Sequence, residues 1–139
     1  MKVVFDTSVL VAAARSKSGA SYALLARLPD ANFQTVISMA LFCEYRALLL
    51  CPENLLQRTA PQAEGFLDFL ISVSHLQEVF FRWRPALPDP DDDLILELAV
   101  AASCRYIVTH NIRDFRGMEN SGIAAVTPGD FLKLIKRTT

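Results

Sequence analysis

The segment Val3-Val-Phe-Asp-Thr-Ser8 indicates how the chain folds, because a short β-branched and aromatic run passes directly into three polar residues. Such a run is typical of a buried strand that leaves a sheet at its carboxyl end. Apolar residues at helical spacing follow over 9–14, and a second strand is predicted over 33–37. Strand, helix and strand in this order are the repeating unit of α/β proteins.

The rest of the chain continues the alternation. Ser38 is a predicted helix N-cap, and Thr59-Ala-Pro-Gln62 has the spacing of a capping box. The alternation predicts one α/β domain over residues 1–139, a three-layer α/β/α sandwich around a mostly parallel sheet. The predicted strands span 3–5, 33–37, 76–81, 106–109 and 124–126, the predicted helices span 9–14, 22–28, 39–50, 59–72, 92–102 and 131–136, and loops are predicted over 82–93 and 111–122.

Composition excludes several classes of protein. A chain of 139 residues with 52% apolar and 21% charged residues is typical of one domain with a real core. A net charge of −1 gives no bulk positive field for nucleic acid or anionic membrane. Three widely spaced cysteines indicate a reducing compartment. No secretory segment and no apolar run near the roughly 18 residues of a membrane helix is present, so we expect a cytoplasmic protein.

Polar side chains follow two of the predicted strands. Asp6 comes directly after the first strand, and Asn111 and Asp114 follow the strand over 106–109. Ligands of open α/β sheets bind beyond the carboxyl ends of the strands, so these residues are candidates for a site. A turn or N-cap role explains Asp6 alone equally well.

Two further acids stand on apolar helix faces. Glu44 shares a face with Leu41 and Leu48, and Asp92 begins a face that continues at Ile95. An ionised carboxylate in such a place needs an ion pair, a hydrogen bond or a metal ion. The helix dipole favours acids in a first turn, but it does not explain why the apolar face itself begins with Asp92.

If the sheet is parallel, we expect the four acids Asp6, Glu44, Asp92 and Asp114 to converge on one edge of the molecule. Like charges at short range are unfavourable unless a cation lies between them. Carboxylate oxygens select Mg²⁺ or Mn²⁺, and such sites suit phosphoryl chemistry. The sequence has no Walker A, GxGxxG or GxSxG motif and no Cys/His spacing for zinc.

Five segments, in order along nearly the whole chain, resemble the PIN-domain ribonucleases. Each motif is short, and their joint order carries the resemblance. Within that family the chain is most similar to the VapC-like toxins of bacterial type II toxin–antitoxin systems. The five segments are Val3-Val-Phe-Asp-Thr-Ser8, Glu44, Asp89-Pro-Asp-Asp-Asp-Leu-Ile-Leu-Glu-Leu-Ala99, Tyr106-Ile-Val-Thr-His-Asn-Ile-Arg-Asp-Phe115 and Val126-Thr-Pro-Gly-Asp-Phe131.

The resemblance implies a set of site residues. Asp6, Glu44 and Asp92 match the metal-binding acids, and Ser8 matches a residue that hydrogen-bonds within the acidic pocket. The metal implied is Mg²⁺ or Mn²⁺. The activity implied is endonucleolytic hydrolysis of single-stranded RNA, in which a metal-activated water attacks the phosphate in line.

The chain departs from the family pattern at the fourth acid. The family has a Thr-x-Asp arrangement after the fourth strand, and Asn111 stands in that place. Asp114, three residues on, is the candidate that supplies the missing charge, and Asn111 still offers a carbonyl oxygen. Asp93 points about a third of a turn away from the face of Asp92, toward Leu96 and Glu97. It stands where close relatives often have Asn and is the second choice in its helix.

The resemblance also implies partners: a single-stranded RNA substrate, a homodimer, and a cognate antitoxin whose segment covers the pocket. Side chains that flank the expected pocket loops are candidates for holding the RNA backbone, with solvated surface charge as an equally good reading of each. These candidates are Arg15, Lys17, Arg113 and Arg116.

Two other functions remain open at this stage. One is a PIN-like nuclease that acts on DNA or structured nucleic acid, although the chain lacks the long insertions such substrates require. The other is a catalytically weakened module that acts by binding protein or RNA, which the neutral Asn111 favours. Metal-dependent cleavage of RNA discriminates between catalysis and binding.

Overall fold

The computed structural model describes residues 1–79, 90–116, 118 and 121–137, with the backbone alone for 90–92 and 137. Strands alternate with helices along the chain, as the sequence predicts. The strands are β1 (Lys2–Phe5), β2 (Gln34–Ile37), β3 (His75–Leu76), β4 (Tyr106–Val108) and β5 (Ala124–Val126). The helices are α1 (Thr7–Arg15), α2 (Ala20–Ala26), α3 (Met39–Leu49), α4 (Pro52–Leu55), α5 (Ala60–Val73), α6 (Pro90–Ala101) and α7 (Pro128–Arg137), with a 3₁₀ helix at Ile112–Phe115.

The five strands form one sheet in the order β3-β2-β1-β4-β5, and each neighbouring pair is parallel. Val4 lies opposite Ile107 in the register of β1 and β4. The chain moves outward from β1 through β2 to β3 and then returns to β4 on the other side of β1. The carboxyl ends of β1 and β4 therefore border the point where the strand order reverses, the usual ligand crevice of such sheets.

Helices cover both faces of the sheet, which confirms the α/β/α sandwich. Right-handed crossovers put α1 to α5 on one face and α6 on the other. The packing agrees, since α1 contacts α2 and α3, and α3 contacts α5. α7 packs on α2, and α6 lies against β1, β2 and β4. Strands β1 and β4 are consequently buried on both faces of the sheet. Within the described part of the chain, no helix has the length and apolar character needed to cross a membrane.

Two predicted helix caps are confirmed. The Ser38 hydroxyl accepts a hydrogen bond from the Leu41 N–H at 3.1 Å and begins α3. Thr59 and Gln62 form the reciprocal capping box of α5, with distances of 2.9 and 3.3 Å. These bonds satisfy backbone N–H groups that a helix leaves open at its start.

The third strand is shorter than the prediction of 76–81. Only His75 and Leu76 pair with β2, residues 77–79 lie outside any strand, and 80 and 81 fall outside the described residues. The cause is that β3 is an edge strand with a neighbour on one side, so little pairing holds it extended.

Some helix boundaries also differ from the prediction. α6 begins at Pro90 and α7 at Pro128, because proline fits the first turn of a helix. The short helix α4 and the 3₁₀ helix after β4 lie where loops were expected, since each is a single turn without apolar periodicity. The predicted loop over 82–93 lies partly outside the described residues.

Candidate functional site

Asp6 is a buried carboxylate at the carboxyl end of β1, with 5% of its surface exposed. Its Oδ2 accepts hydrogen bonds from the Ser8 hydroxyl at 2.9 Å and the Thr109 hydroxyl at 2.7 Å. Its backbone is the N-cap of α1, but its side chain makes no capping bond, so capping does not account for the carboxylate. Two hydroxyl donors instead hold Asp6 at the switch point of the sheet.

The same two hydroxyls fix the loop after β4. Thr109 is fully buried and accepts a bond from the Asn111 N–H at 2.9 Å, and Ser8 accepts one from the His110 N–H at 3.2 Å. Sequence reasoning placed Ser8 in the pocket and missed Thr109. The sequence signal that could have identified Thr109 is its position, because it is a polar β-branched residue directly after β4, the strand that pairs with β1.

A further bond ties α2 to this loop. The His110 Nε2 and the Ser21 hydroxyl lie 2.8 Å apart, and Ser21 is buried. A chain of contacts therefore runs from α2 through His110 and Ser8 to the Asp6 carboxylate. Local sequence patterns do not predict this pairing, because the two residues are far apart along the chain.

Glu44 lies on α3, directly before a residue that ties this helix to β1. That residue, Tyr45, is buried, and its phenol donates a hydrogen bond to the carbonyl of Phe5. Burial, and then the charges of Asp6 and Glu44, raise the pKa of Tyr45 well above its usual range. The Tyr45 bond therefore places this turn of α3 beside the last residue of β1, which Asp6 follows.

The orientation of Glu44 differs from the prediction. The buried face of α3 consists of Leu41, Tyr45 and Leu49, and Glu44 lies half-buried beside it. Its Oε2 atom is nevertheless shielded from solvent. Glu44 therefore sits at the border of the apolar face rather than within it.

The acids of α6 are placed differently from one another. Asp92 lies in the first turn by its backbone, and its side chain falls outside the described residues. Asp93 and Glu97 are buried, with 8% and 7% exposed surface, although Asp93 was predicted to point away from the apolar face. The reason is that α6 packs against three strands, so it is buried over more of its circumference than an amphipathic surface helix. Sequence reasoning missed Glu97 because it treated that acid only as a break in an apolar run.

The remaining candidates lie on the surface. Asn111, Arg113, Asp114 and Arg116 are exposed around the 3₁₀ helix, which buried Phe115 anchors. The Asp114 N–H donates to the carbonyl of Asn111 at 3.0 Å. Among the described contacts, no hydrogen bond joins Asp114 to Asp6.

We expected Arg15 and Lys17 to flank the loops around Asp6, but they lie at and just after the far end of α1. Asp6 directly precedes α1 and Arg15 ends it, so the two are separated by the length of the helix. The Arg15 Nε donates to the Asn54 Oδ1 at 3.0 Å. Both cations are exposed.

A divalent metal fits the donor chemistry of the site, because the candidate side chains are all oxygen donors. The described residues do not by themselves contain a cluster of three or more His, Cys, Asp or Glu that could hold a metal ion. The side chain of one of the four candidate acids, Asp92, lies outside the described part of the structure. Asp6 and Glu44 are each next in sequence to one partner of the Tyr45–Phe5 hydrogen bond.

An apolar groove lies away from the acids, between α1, α2, α4 and α5. Its volume is about 520 Å³, and its wall includes Leu10, Tyr22, Phe66 and Phe69. Phe69 is 41% exposed and Tyr22 is 38% exposed. Exposed aromatic side chains around an apolar groove are typical of a surface that binds another protein.

Residues 2–113 match the sequence profile of the PIN domain, and the chain belongs to the PIN domain family. PIN domains are generally nucleases. Among solved structures, the chain is similar to one chain in the crystal structure of VapBC2 from Rickettsia felis, which is bound to a DNA fragment from the VapBC2 promoter. The identity is 17%, the match covers 91% of this chain and 98% of that chain, and the TM-score is 0.62, a likeness of fold. A comparison with curated protein sequences gives no match.

Proposed function

We propose that the protein is a divalent-metal-dependent endoribonuclease that cleaves single-stranded RNA as the toxin of a toxin–antitoxin pair. The observation that carries the proposal is the buried Asp6 carboxylate, held by the hydroxyls of Ser8 and Thr109 where the strand order reverses. Membership of a nuclease family supports the reaction class.

In this proposal Asp6, Glu44, Asp92 and Asp114 hold Mg²⁺ or Mn²⁺. The bound cation neutralises the carboxylates and polarises a phosphodiester. Ser8 and Thr109 keep Oδ2 of Asp6 in place through their hydrogen bonds, which leaves Oδ1 as the oxygen available to the metal. The only described bond to Oδ1 is a long one of 3.4 Å from the Thr7 hydroxyl.

The weaker members of the set have supporting roles. Asn111 offers a neutral carbonyl oxygen, and its backbone N–H already fixes the loop through Thr109. Asp93 is a second-choice acid of α6. Arg113 lies exposed on the 3₁₀ helix that follows β4 and Arg116 lies exposed directly after it, where they are suited to hold RNA phosphates near the acids.

The proposed partners follow from the toxin role. A cognate antitoxin is proposed to cover the acidic pocket, with an Arg inserted among the carboxylates. The apolar groove with Tyr22 and Phe69 suits the apolar face of a partner helix. A homodimer and a cytoplasmic location complete the proposal.

The test is cleavage of single-stranded RNA by the purified protein with Mg²⁺, with Mn²⁺ and with EDTA. We expect metal-dependent cleavage that Asp6→Asn and Asp92→Asn abolish. Asp68→Asn is the matched control, because Asp68 is an exposed acid of α5 outside the candidate set. Cleavage that survives Asp6→Asn and Asp92→Asn, or that needs no metal, contradicts the proposal.

A catalytically weakened binding module is the second candidate, because the neutral Asn111 reduces the negative charge of the site. That reading predicts no cleavage and no metal binding by calorimetry. It also predicts that Asp6→Asn and Asp92→Asn raise stability, because each removes repulsion that no cation relieves. Single-stranded DNA and hairpin substrates in the same assay test the alternative of a PIN-like nuclease with other substrates.

A further inference from the structure

A cleft with three cations lies at the end of α1 that is remote from Asp6. We call it the basic cleft. It has a volume of about 600 Å³ between the C-terminal end of α1 and the turn after α4. Its lining residues are Ala14, Arg15, Lys17, Leu56, Gln57 and Arg58.

Both guanidinium groups of the basic cleft are held in place by neutral acceptors. The Arg15 Nε donates to Asn54 Oδ1 at 3.0 Å, and buried Asn54 is itself fixed by a bond from its Nδ2 to the Leu48 carbonyl at 2.8 Å. The Arg58 Nη1 donates to the Ala14 carbonyl at 2.8 Å. A guanidinium has five N–H donors, so a single bond of this kind orients the group and leaves donors for a ligand.

Within the described part of the chain, no ion pair balances the positive charge of the basic cleft. The described ion pairs join Arg27 to Asp30 and Arg46 to Glu64, and none involves the cleft. The C-terminus of α1 carries the equivalent of about half a negative charge, much less than three cations. Glu53 is exposed on α4 and does not line the cleft. On a chain with a net charge of −1, this surface is a local site for an anion.

The position of the basic cleft relates it to the acidic site. The nine residues of α1 separate Asp6 from the end of the helix, a length of about 13.5 Å at a rise of 1.5 Å per residue. One phosphate cannot contact both places, whereas one strand of a few nucleotides can. RNA that approaches the carboxylates is repelled by them, so cations at this distance supply the attraction that the acidic site lacks.

We infer that the basic cleft binds a backbone phosphate of single-stranded RNA, a few nucleotides from the bond that is cut. The inference rests on the proposed function and extends it to a second binding site. Arg58 is the new member of that site, beside Arg15 and Lys17. Guanidinium groups oriented by neutral hydrogen bonds bind a phosphate by charge and by paired N–H donors.

The experiment measures binding of a fluorescein-labelled single-stranded oligoribonucleotide by anisotropy, as a function of salt. Asp6→Asn protein is the background, so that no cleavage occurs during titration. We expect Lys17→Gln and Arg58→Gln each to weaken binding several-fold and to reduce the salt slope by about 0.7, the value for one lost contact to a single strand. Lys133→Gln and Arg105→Gln, which change exposed cations outside the cleft, are expected to leave both quantities unchanged.

The outcomes separate the two proposals. Equal affinity and equal salt slope in the cleft and control variants overturn the inference about the cleft, even where the parent protein cleaves RNA. Failure of the parent protein to cleave RNA contradicts the proposed function, and the binding titration is then judged on its own. If the cleft variants bind an acidic peptide more weakly but bind RNA as the parent does, the cleft is a site for a protein partner. That result also overturns the inference. Because Arg58 has a structural bond, a normal melting temperature is required of each variant, and Lys17→Gln carries the test if Arg58→Gln unfolds.

Discussion

Replacement of Thr109 by valine tests the central feature of the site. Valine keeps the shape of the fully buried side chain and removes the hydroxyl that donates to Asp6 at 2.7 Å and accepts from the N–H of exposed Asn111 at 2.9 Å. A hydrogen bond to a charged group contributes about 1.5–3 kcal/mol, so we expect the free energy of unfolding to fall by about 2 kcal/mol. That loss lowers the melting temperature by about 7 °C in a domain of this size.

The assay is urea unfolding followed by circular dichroism, with Thr35→Val as the matched control. Thr35 is also a buried threonine, within β2, but its hydroxyl bonds to the neutral Ser74 hydroxyl. A neutral bond contributes about 1 kcal/mol, so the control should lose about half as much stability. Of these two variants, Thr109→Val alone should also weaken Mn²⁺ binding, because Thr109 contacts Asp6 and Thr35 does not.

A double-mutant cycle isolates the bond itself. In the Asp6→Asn background the hydroxyl of Thr109 no longer donates to a charge, so Thr109→Val should destabilise the protein by about 1 kcal/mol less than in the parent. Equal losses in both backgrounds, or a Thr109→Val loss no greater than that of Thr35→Val, refute the reasoning.

Three further predictions concern other parts of the structure. Tyr45→Phe keeps the ring but removes the bond to the Phe5 carbonyl, so we expect about 1 kcal/mol less stability by urea unfolding and weaker Mn²⁺ binding by calorimetry, whereas unchanged metal affinity contradicts a positioning role. Burial raises the pKa of the Cys104 thiol to about 11, so at neutral pH a disulfide reagent should modify exposed Cys43 and spare Cys104 until denaturant is added. Leu56 is 58% exposed and has a φ of 56°, so Leu56→Gly should raise stability by about 1 kcal/mol in the same unfolding assay, and a loss would show that its side chain matters more than its backbone.

Local signals in the sequence were sufficient for most of the fold. The run at Val3–Phe5 and the caps at Ser38 and Thr59 each depend on neighbours within a few residues, and the structure has all three. Edge strand β3 was overestimated because its extent depends on pairing with β2, which periodicity does not record.

The site was predictable to a smaller extent. The position of Asp6 after a buried strand was sufficient to single it out, and the position of Thr109 after β4 was a comparable signal that was not used. Ser21 became visible only through its contact with a residue distant along the chain. Asp93 was misplaced because a helix packed against three strands has no simple apolar face. The remote position of Arg15 depends on the direction of α1, which spacing alone does not give.

The bond from the Asp6 N–H to the Val108 carbonyl, at 2.9 Å, makes the backbone of this acid an extension of the central β1–β4 ladder. Amide exchange at Asp6 should therefore require the rarest opening event of the domain, whereas the exposed turn that carries Asp114 should exchange through frequent local fraying. An acid can thus be moved between neighbouring positions of that turn with little loss of thermodynamic stability, while the acid at residue 6 is confined to one place in the sheet.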